Sequence, residues 1–242
     1  MSDPSIIYEN ADFLAVNKPA GLMVHAVRLS SKRPRAEIRA QEPTLVDWLL
    51  PRYPEIKMVG DDPAMRAGIV HRLDKETSGV LLVPRTQKYF EYLKSLFKNH
   101  EVEKTYLAVV HGMPVPADGV IDAPIGIKSG TLKRSVHSEK MAKPAVTAYG
   151  MVAVKKENGE TKSLLEVRPR TGRTHQIRVH LASIGNPIVG DSLYGSKKEP
   201  SRLMLHAWKI AFSGPAGERF ELEADLPLEF KNFSLSTGDK RG

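Results

Sequence analysis

The 242-residue sequence contains no cysteine. That excludes disulfides, thiolate-bound zinc or iron–sulfur centres, and a cysteine nucleophile. No run of eighteen apolar residues occurs, and the opening MSDPSIIYENADFLAVN is interrupted by acids and asparagine, so neither a membrane span nor a secretory leader is read. A cytoplasmic protein without a membrane partner is the expectation. GxxxxGK[ST], a strand-borne GxGxxG and GxSxG are also missing, which removes the phosphate cradle of nucleotide-dependent transfer and the serine elbow of acyl transfer. No nucleotide cofactor is expected. There are eight histidines, yet His175 and His180 stand five apart and nothing supplies HxH or HxxxH spacing, so no metal is expected either.

Acidic residues are in short supply: 28 Asp and Glu face 36 Lys and Arg, a formal charge of +8. The excess is clustered. RLSSKRPRAEIR (28–39) and KSGTLKRSVHSEKMAK (128–143) each hold five basic residues against one acid, and EVRPRTGRTHQIRVH (166–180) adds four arginines. One such cluster is as readily a solvated loop as a binding face, but three with so few acids point to a polyanionic partner.

A hydrophobic content of 41% is enough for a sizeable core, as one large domain or two small ones. SIIYENADFLAVNKPAGLMVH alternates around an Asn-Ala-Asp turn and reads as a hairpin. PTLVDWLLPRYP reads as a short helix capped by Thr44, and TQKYFEYLKSLFKNH as a longer one capped by Thr86 with Phe90, Leu93, Leu96 and Phe97 at helical spacing. EKTYLAVVHG, AVTAYGMVAVKK, TKSLLEVRPR, RLMLHAWKIAFSG and ERFELEADLP read as strands, and RTHQIRVHLASIG as another helix. Strands outnumber helices, giving a mixed α/β or α+β fold. Residues 28–42 read as a basic flexible insert and 235–242 as a disordered tail.

The segment GIVHRLDKETSGVLLV (68–83) sets Asp74 between two apolar, strand-like runs, next to Arg72 and ahead of a Thr-Ser-Gly turn. An aspartate there is most simply a turn-forming or capping residue, but its edge position would also hold a carboxylate rigidly for chemistry. In RTHQIRVH, Arg173, Gln176 and His180 share a stripe if the segment is helical and Arg178 points elsewhere. If it is extended, Thr174, Gln176 and Arg178 share a face. Periodicity leaves both open.

GIVHRLDKETSGVLLV resembles the HRLDxxTSG signature of the RluA family of pseudouridine synthases. IIYENADFLAVNKPAGLMVH is similar to that family's opening strands, EKTYLAVVHG to its tyrosine motif, GRTHQIRVHLASIGNPIVGDSLYG to its basic motif and RLMLHAWKIAF to its closing strand. The resemblance runs over about residues 5–228 in the family's order. No S4 RNA-binding module is read ahead of Ile6, so the likeness is to the short members with a single catalytic domain, here residues 1–242. The 28–42 stretch is longer and more basic than the pattern after GLMVH.

The resemblance implies an α+β fold with a mixed, mainly antiparallel sheet, flanking helices and a central RNA-binding cleft. It implies an isomerase, an intramolecular transferase that turns uridine into pseudouridine in RNA without a cofactor. Asp74 would then be the catalytic carboxylate, acting on the ribose as nucleophile or as base, and Arg178 the cation that keeps it ionised. Tyr106 would stack on the uracil and assist proton removal. The target base must be flipped out of its stack, and Arg72 is the candidate to fill the gap with its planar guanidinium. His71, Thr77, Arg173, Gln176, Lys133 and Arg134 complete the expected substrate contacts. The partner is RNA, a compact tRNA arm ahead of large-subunit ribosomal RNA, met by a monomer. Competing classes are a glycoside hydrolase, for which Glu76 is the only nearby second acid, a non-catalytic RNA-binding module, and an interaction protein that would leave the arginine-bearing motifs unexplained.

Overall fold

The computed structural model describes residues 3–26, 42–128, 133–157, 159–195 and 201–235. Most of the stretch expected to be a basic insert, and the tail after Leu235, lie outside the described residues. The chain falls into two compact units. One holds the residues up to Val102 with Lys209–Ala224, the other Glu103–Trp208 and the residues from Asp225 on.

In the first unit β1 (Ser5–Glu9) and β2 (Phe13–Lys18) form the expected antiparallel hairpin. Asn10 makes the turn, its side-chain oxygen accepting the backbone N–H groups of Asp12 and Phe13 at 2.9 Å each. β3 (Ser78–Pro84) pairs antiparallel with β2 from Phe13↔Pro84 to Lys18↔Gly79 and is buried along its whole length. Two helices are started by threonine. Thr44 forms a reciprocal capping box with Asp47 at the head of α1 (Leu45–Leu49). A single helical turn, α2 (Pro63–Arg66), follows. Thr86 accepts the Tyr89 N–H at the head of α3 (Gln87–Lys98), which buries Tyr89, Phe90, Leu93 and Leu96. Phe13 stacks on Tyr89 at 5.3 Å and meets Phe212 and Phe220 edge-on. The fully buried rings of Phe13 and Phe212 each contribute about 1.5–3 kcal/mol.

GIV (68–70) is not a strand: Gly68 has φ +69° and its N–H donates to Val59 O, while Ile69 N–H donates to Arg66 O. The chain turns instead of extending, and Ile69 and Leu73 are buried as separate anchors. Asp74 therefore precedes a strand without following one.

The second unit is built on β4 (Glu103–His111), β5 (Asp118–Asp122), β8 (Val146–Glu157) and β9 (Glu160–Pro169), with antiparallel pairs β4–β9, β9–β8 and β8–β5. A separate two-stranded hairpin joins β6 (Gly126–Ile127) to β7 (Arg134–Ser135). α4 (Gln176–Ser183) and α5 (Leu228–Leu235) supply Ile177, Leu181, Phe230 and Phe233 to a core with Leu107, Val109, Leu164 and Leu165. β10 (Leu205–Ser213) gives its first four residues to this unit and the rest to the first, where they pair with β11 (Arg219–Glu223). The α+β class with a mainly antiparallel sheet is as expected. Among the described residues no helix is long and apolar enough to cross a membrane.

Candidate active site

In the first unit the HRLDKETSG loop is gripped by its backbone. Lys18, at the end of β2, is 0% exposed. Its ammonium donates to Pro19 O and Leu22 O at 2.8 Å and to Lys75 O at 3.0 Å. Gly21 N–H donates to the same Lys75 carbonyl at 2.9 Å, and Thr77 N–H closes a turn on Asp74 O at 3.1 Å. With Leu73, Thr77 and Ser78 buried on either side, the backbone at Asp74 has little freedom. The Asp74 side chain is half-buried and Arg72 is exposed.

His71 has a structural position. Its Nε2 accepts the Leu82 N–H at 2.8 Å, which puts the proton of the neutral ring on Nδ1, and the ring stacks on Phe97 at 4.5 Å. Thr77, also expected to meet substrate, is buried in the turn. Two residues of this region were not anticipated. Lys18 was hidden because a lysine at the end of an apolar strand reads as solvated. His25 is half-buried, and burial, together with the charges of Arg72 and Arg66, holds its imidazole below the ordinary range.

In the second unit Tyr106 stands on β4 opposite Val167, packed against the core. Lys104 shares its strand face by alternation, and desolvation pushes its ammonium below the ordinary lysine range. GRTHQIRVH becomes helical only from Gln176, because His175 is left-handed, with φ 57°. The helical reading holds. Gln176 and His180, four apart, both reach Thr147: Gln176 Nε2 donates to its hydroxyl at 3.0 Å, and that hydroxyl lies 2.9 Å from His180 Nδ1. His180 Nε2 lies 3.0 Å from Ala123 O, a partner that can only accept. Nε2 therefore carries the proton, and burial keeps the ring neutral by lowering its pKa.

Gln176 was expected at the substrate, but both sides of its amide are used within the fold. Its oxygen accepts from Thr171 Oγ1 at 2.7 Å and Arg173 N at 3.0 Å, and its nitrogen also donates to Val146 O. Arg173 Nε donates to Pro144 O at 3.0 Å. Lys133 is exposed and Arg134 half-buried on β7.

Arg178 points away from the Gln176–His180 stripe. Its Nε and Nη2 donate in a fork to Asp191 Oδ2 and Oδ1, each at 2.8 Å, with Arg178 6% and Asp191 2% exposed. Asp191 Oδ1 also accepts the N–H groups of Leu193 and Tyr194. Burial pushes the Asp191 carboxyl up, but the bonds and charge of Arg178 with the two N–H groups outweigh it and leave it below the usual carboxylate range. Asp191 was missed by sequence reasoning. The signal available was an acid after the apolar NPIVG, where an aspartate needs a buried partner. Among the described residues no cluster of three His, Asp or Glu side chains is placed to hold a metal ion.

The architecture is that of a pseudouridylate synthase domain. A solved structure described as human RNA pseudouridylate synthase domain containing 4 superposes with a TM-score of 0.70 at 27% identity, over 96% of this chain and 92% of that one. Residues 12–183 match the family model described as RNA pseudouridylate synthase. An uncharacterized RNA pseudouridine synthase, YlyB, of Bacillus subtilis is 39% identical over 93% of this chain and 70% of its own length. A ribosomal large subunit pseudouridine synthase D of Zymomonas mobilis is 35% identical, with the same two shares. The chain belongs to the RNA pseudouridylate synthase family, in its RluA branch, and is an isomerase acting on RNA.

Proposed function

We propose that this enzyme isomerises uridines in large-subunit ribosomal RNA, with Asp74 as the carboxylate for glycosidic cleavage. The observation that carries the substrate is the similarity over nearly the whole chain to a synthase named for the ribosomal large subunit. The reaction breaks the bond between ribose C1′ and uracil N1, turns the base, and joins C1′ to C5. The C5 proton leaves and N1 gains one, so atoms and electrons balance without an oxidant or cofactor.

What supports Asp74 is a rigid backbone beneath an acid in a motif otherwise rich in cations, which suits preorganised chemistry. Tyr106 supplies the ring that stacks on the uracil, and Arg178 the cation of the basic motif that serves the reaction. Arg72, exposed and planar, fills the stack vacated by the flipped base. The basic β6–β7 hairpin, with Lys128, Lys133 and Arg134, meets backbone phosphates.

The experiment is single-turnover tritium release from RNA labelled at uridine C5, comparing protein-free ribosomal RNA with total tRNA. Stoichiometric release from ribosomal RNA with none from tRNA is expected. The reverse pattern would overturn the ribosomal assignment in favour of the tRNA arm expected from the sequence.

A further inference from the structure

Tyr194 has no role in the chemistry above, yet it touches three elements of the second unit at once. Its backbone N–H donates at 3.0 Å to Asp191 Oδ1, the oxygen that also receives Arg178 Nη2. Its ring lies 5.3 Å from the Arg178 guanidinium carbon, within cation–π range. Its hydroxyl accepts the backbone N–H of Arg134 at 2.9 Å and lies 2.9 Å from His175 Nδ1, whose ring meets it edge-on. One side chain thus joins the β6–β7 hairpin, the left-handed residue that starts α4, and the guanidinium on α4.

The hairpin needs such a tie. Its strands are two residues each, with Gly126↔Ser135 and Ile127↔Arg134 as the paired positions, too short to be independently stable. Its second strand, and Lys128 just after its first, lie in the 128–143 segment with five basic residues against one acid. Phosphates drawing on Lys128, Lys133 and Arg134 would pull on a strand whose N–H ends on the Tyr194 hydroxyl.

We infer that Tyr194 is a positioning residue that couples RNA engagement at the β6–β7 hairpin to the setting of Arg178 on α4. The coupling rests on the reading that this hairpin meets RNA and that Arg178 serves the reaction. It adds a reason why binding and chemistry are linked. When the hairpin is engaged, the Arg134 N–H is held on the tyrosine oxygen, and the ring is fixed beneath the guanidinium. Without RNA the same bond forms, but the two-residue strands that carry it open more often, and the ring is held against the guanidinium for less of the time.

The test is a double-mutant cycle of Tyr194→Phe with the charge reversal Lys133→Glu/Arg134→Glu, reading both RNA affinity and the single-turnover rate at saturating RNA. Tyr194→Phe keeps the ring and its cation–π contact and removes only the hydroxyl. The expected result is a rate lower by about tenfold with affinity changed by less than about twofold. The charge reversal is expected to weaken binding and also to slow the saturated rate. In the reversed background Tyr194→Phe should slow the rate by less than about twofold, because there is no engagement left to transmit.

Rate effects that simply multiply would overturn the coupling, as would a Tyr194→Phe enzyme as fast as the wild type. A Tyr194→Phe enzyme that only loses melting temperature and active fraction would reduce the residue to a structural one. If the charge reversal leaves RNA affinity unchanged at two salt concentrations, the RNA reading of the hairpin fails and takes the coupling with it. Loss of the ribosomal substrate alone would leave the coupling standing on tRNA.

Discussion

Asp74 and Arg178 are secured by opposite means. In the first unit a buried lysine and two amide groups grip the main-chain oxygens of Asp74 and Lys75, a support that runs through the backbone. In the second, the support of Arg178 is its own functional end, forked onto Asp191. A residue held by its backbone can be exchanged for a near-isostere without disturbing its neighbours. A residue held by its head group cannot, because substitution leaves a buried opposite charge behind.

The largest expected effect tests the first half of that contrast. Asp74→Asn should reduce single-turnover tritium release by at least about a thousandfold, with urea midpoint and RNA affinity close to those of the wild type. A variant that loses stability as well would show the carboxylate to be part of the support.

Asp191→Ala tests the second half. It strands a guanidinium that is 6% exposed, and urea denaturation should show a loss of about 3–5 kcal/mol. The double substitution Asp191→Leu/Arg178→Met should recover much of that stability while leaving the enzyme inactive. Recovery of activity would remove Arg178 from the chemistry.

Lys18→Met should cost somewhat less, about 2–3 kcal/mol, since it takes the donor from the half-buried carbonyls of Pro19 and Leu22 and leaves Lys75 O with Gly21 N–H alone. It should also slow turnover, although Lys18 carries no assigned part in the reaction. A fast Lys18→Met enzyme would mean that the turn keeps its shape by other bonds.

The smallest effect is one of pH. His180 is held neutral, with its pKa below the ordinary value near 6.5. As pH falls below about 6.5 the unfolded chain takes up a proton that the folded one does not, so the contribution is present above that pH and is lost on acidification toward the folded pKa. Urea midpoints between pH 7 and 5 should fall in the wild type and fall less in His180→Gln. Equal slopes would place the pH dependence elsewhere.

Local rules made the first hairpin, both threonine-capped helices and the long strands β8 and β9 legible, because each is specified by residues adjacent in sequence. The segment 68–70 was misread as a strand because three apolar residues look alike whether they extend or anchor a turn, and only the positive φ of Gly68 decides. α5 was not anticipated: its two turns depend on Phe230 and Phe233 reaching a core assembled from distant strands. Arg178 was visible as a motif residue, but Asp191 was not, since a partner thirteen positions away is chosen by the loop between them. His71 and Gln176 were visible as polar residues in motifs, and their uses inside the fold became apparent only with Leu82, Phe97, Thr171 and Thr147 in place.

Lys18 also gives this enzyme a built-in reporter. An amine that is fully buried and bonded to three carbonyls cannot react with an acylating reagent until the turn beside Asp74 opens. Its labelling rate, set against that of the exposed lysines, would measure how often this loop comes apart in the native protein. Followed with and without RNA, that rate would show whether substrate tightens the loop, with no mutation introduced at all.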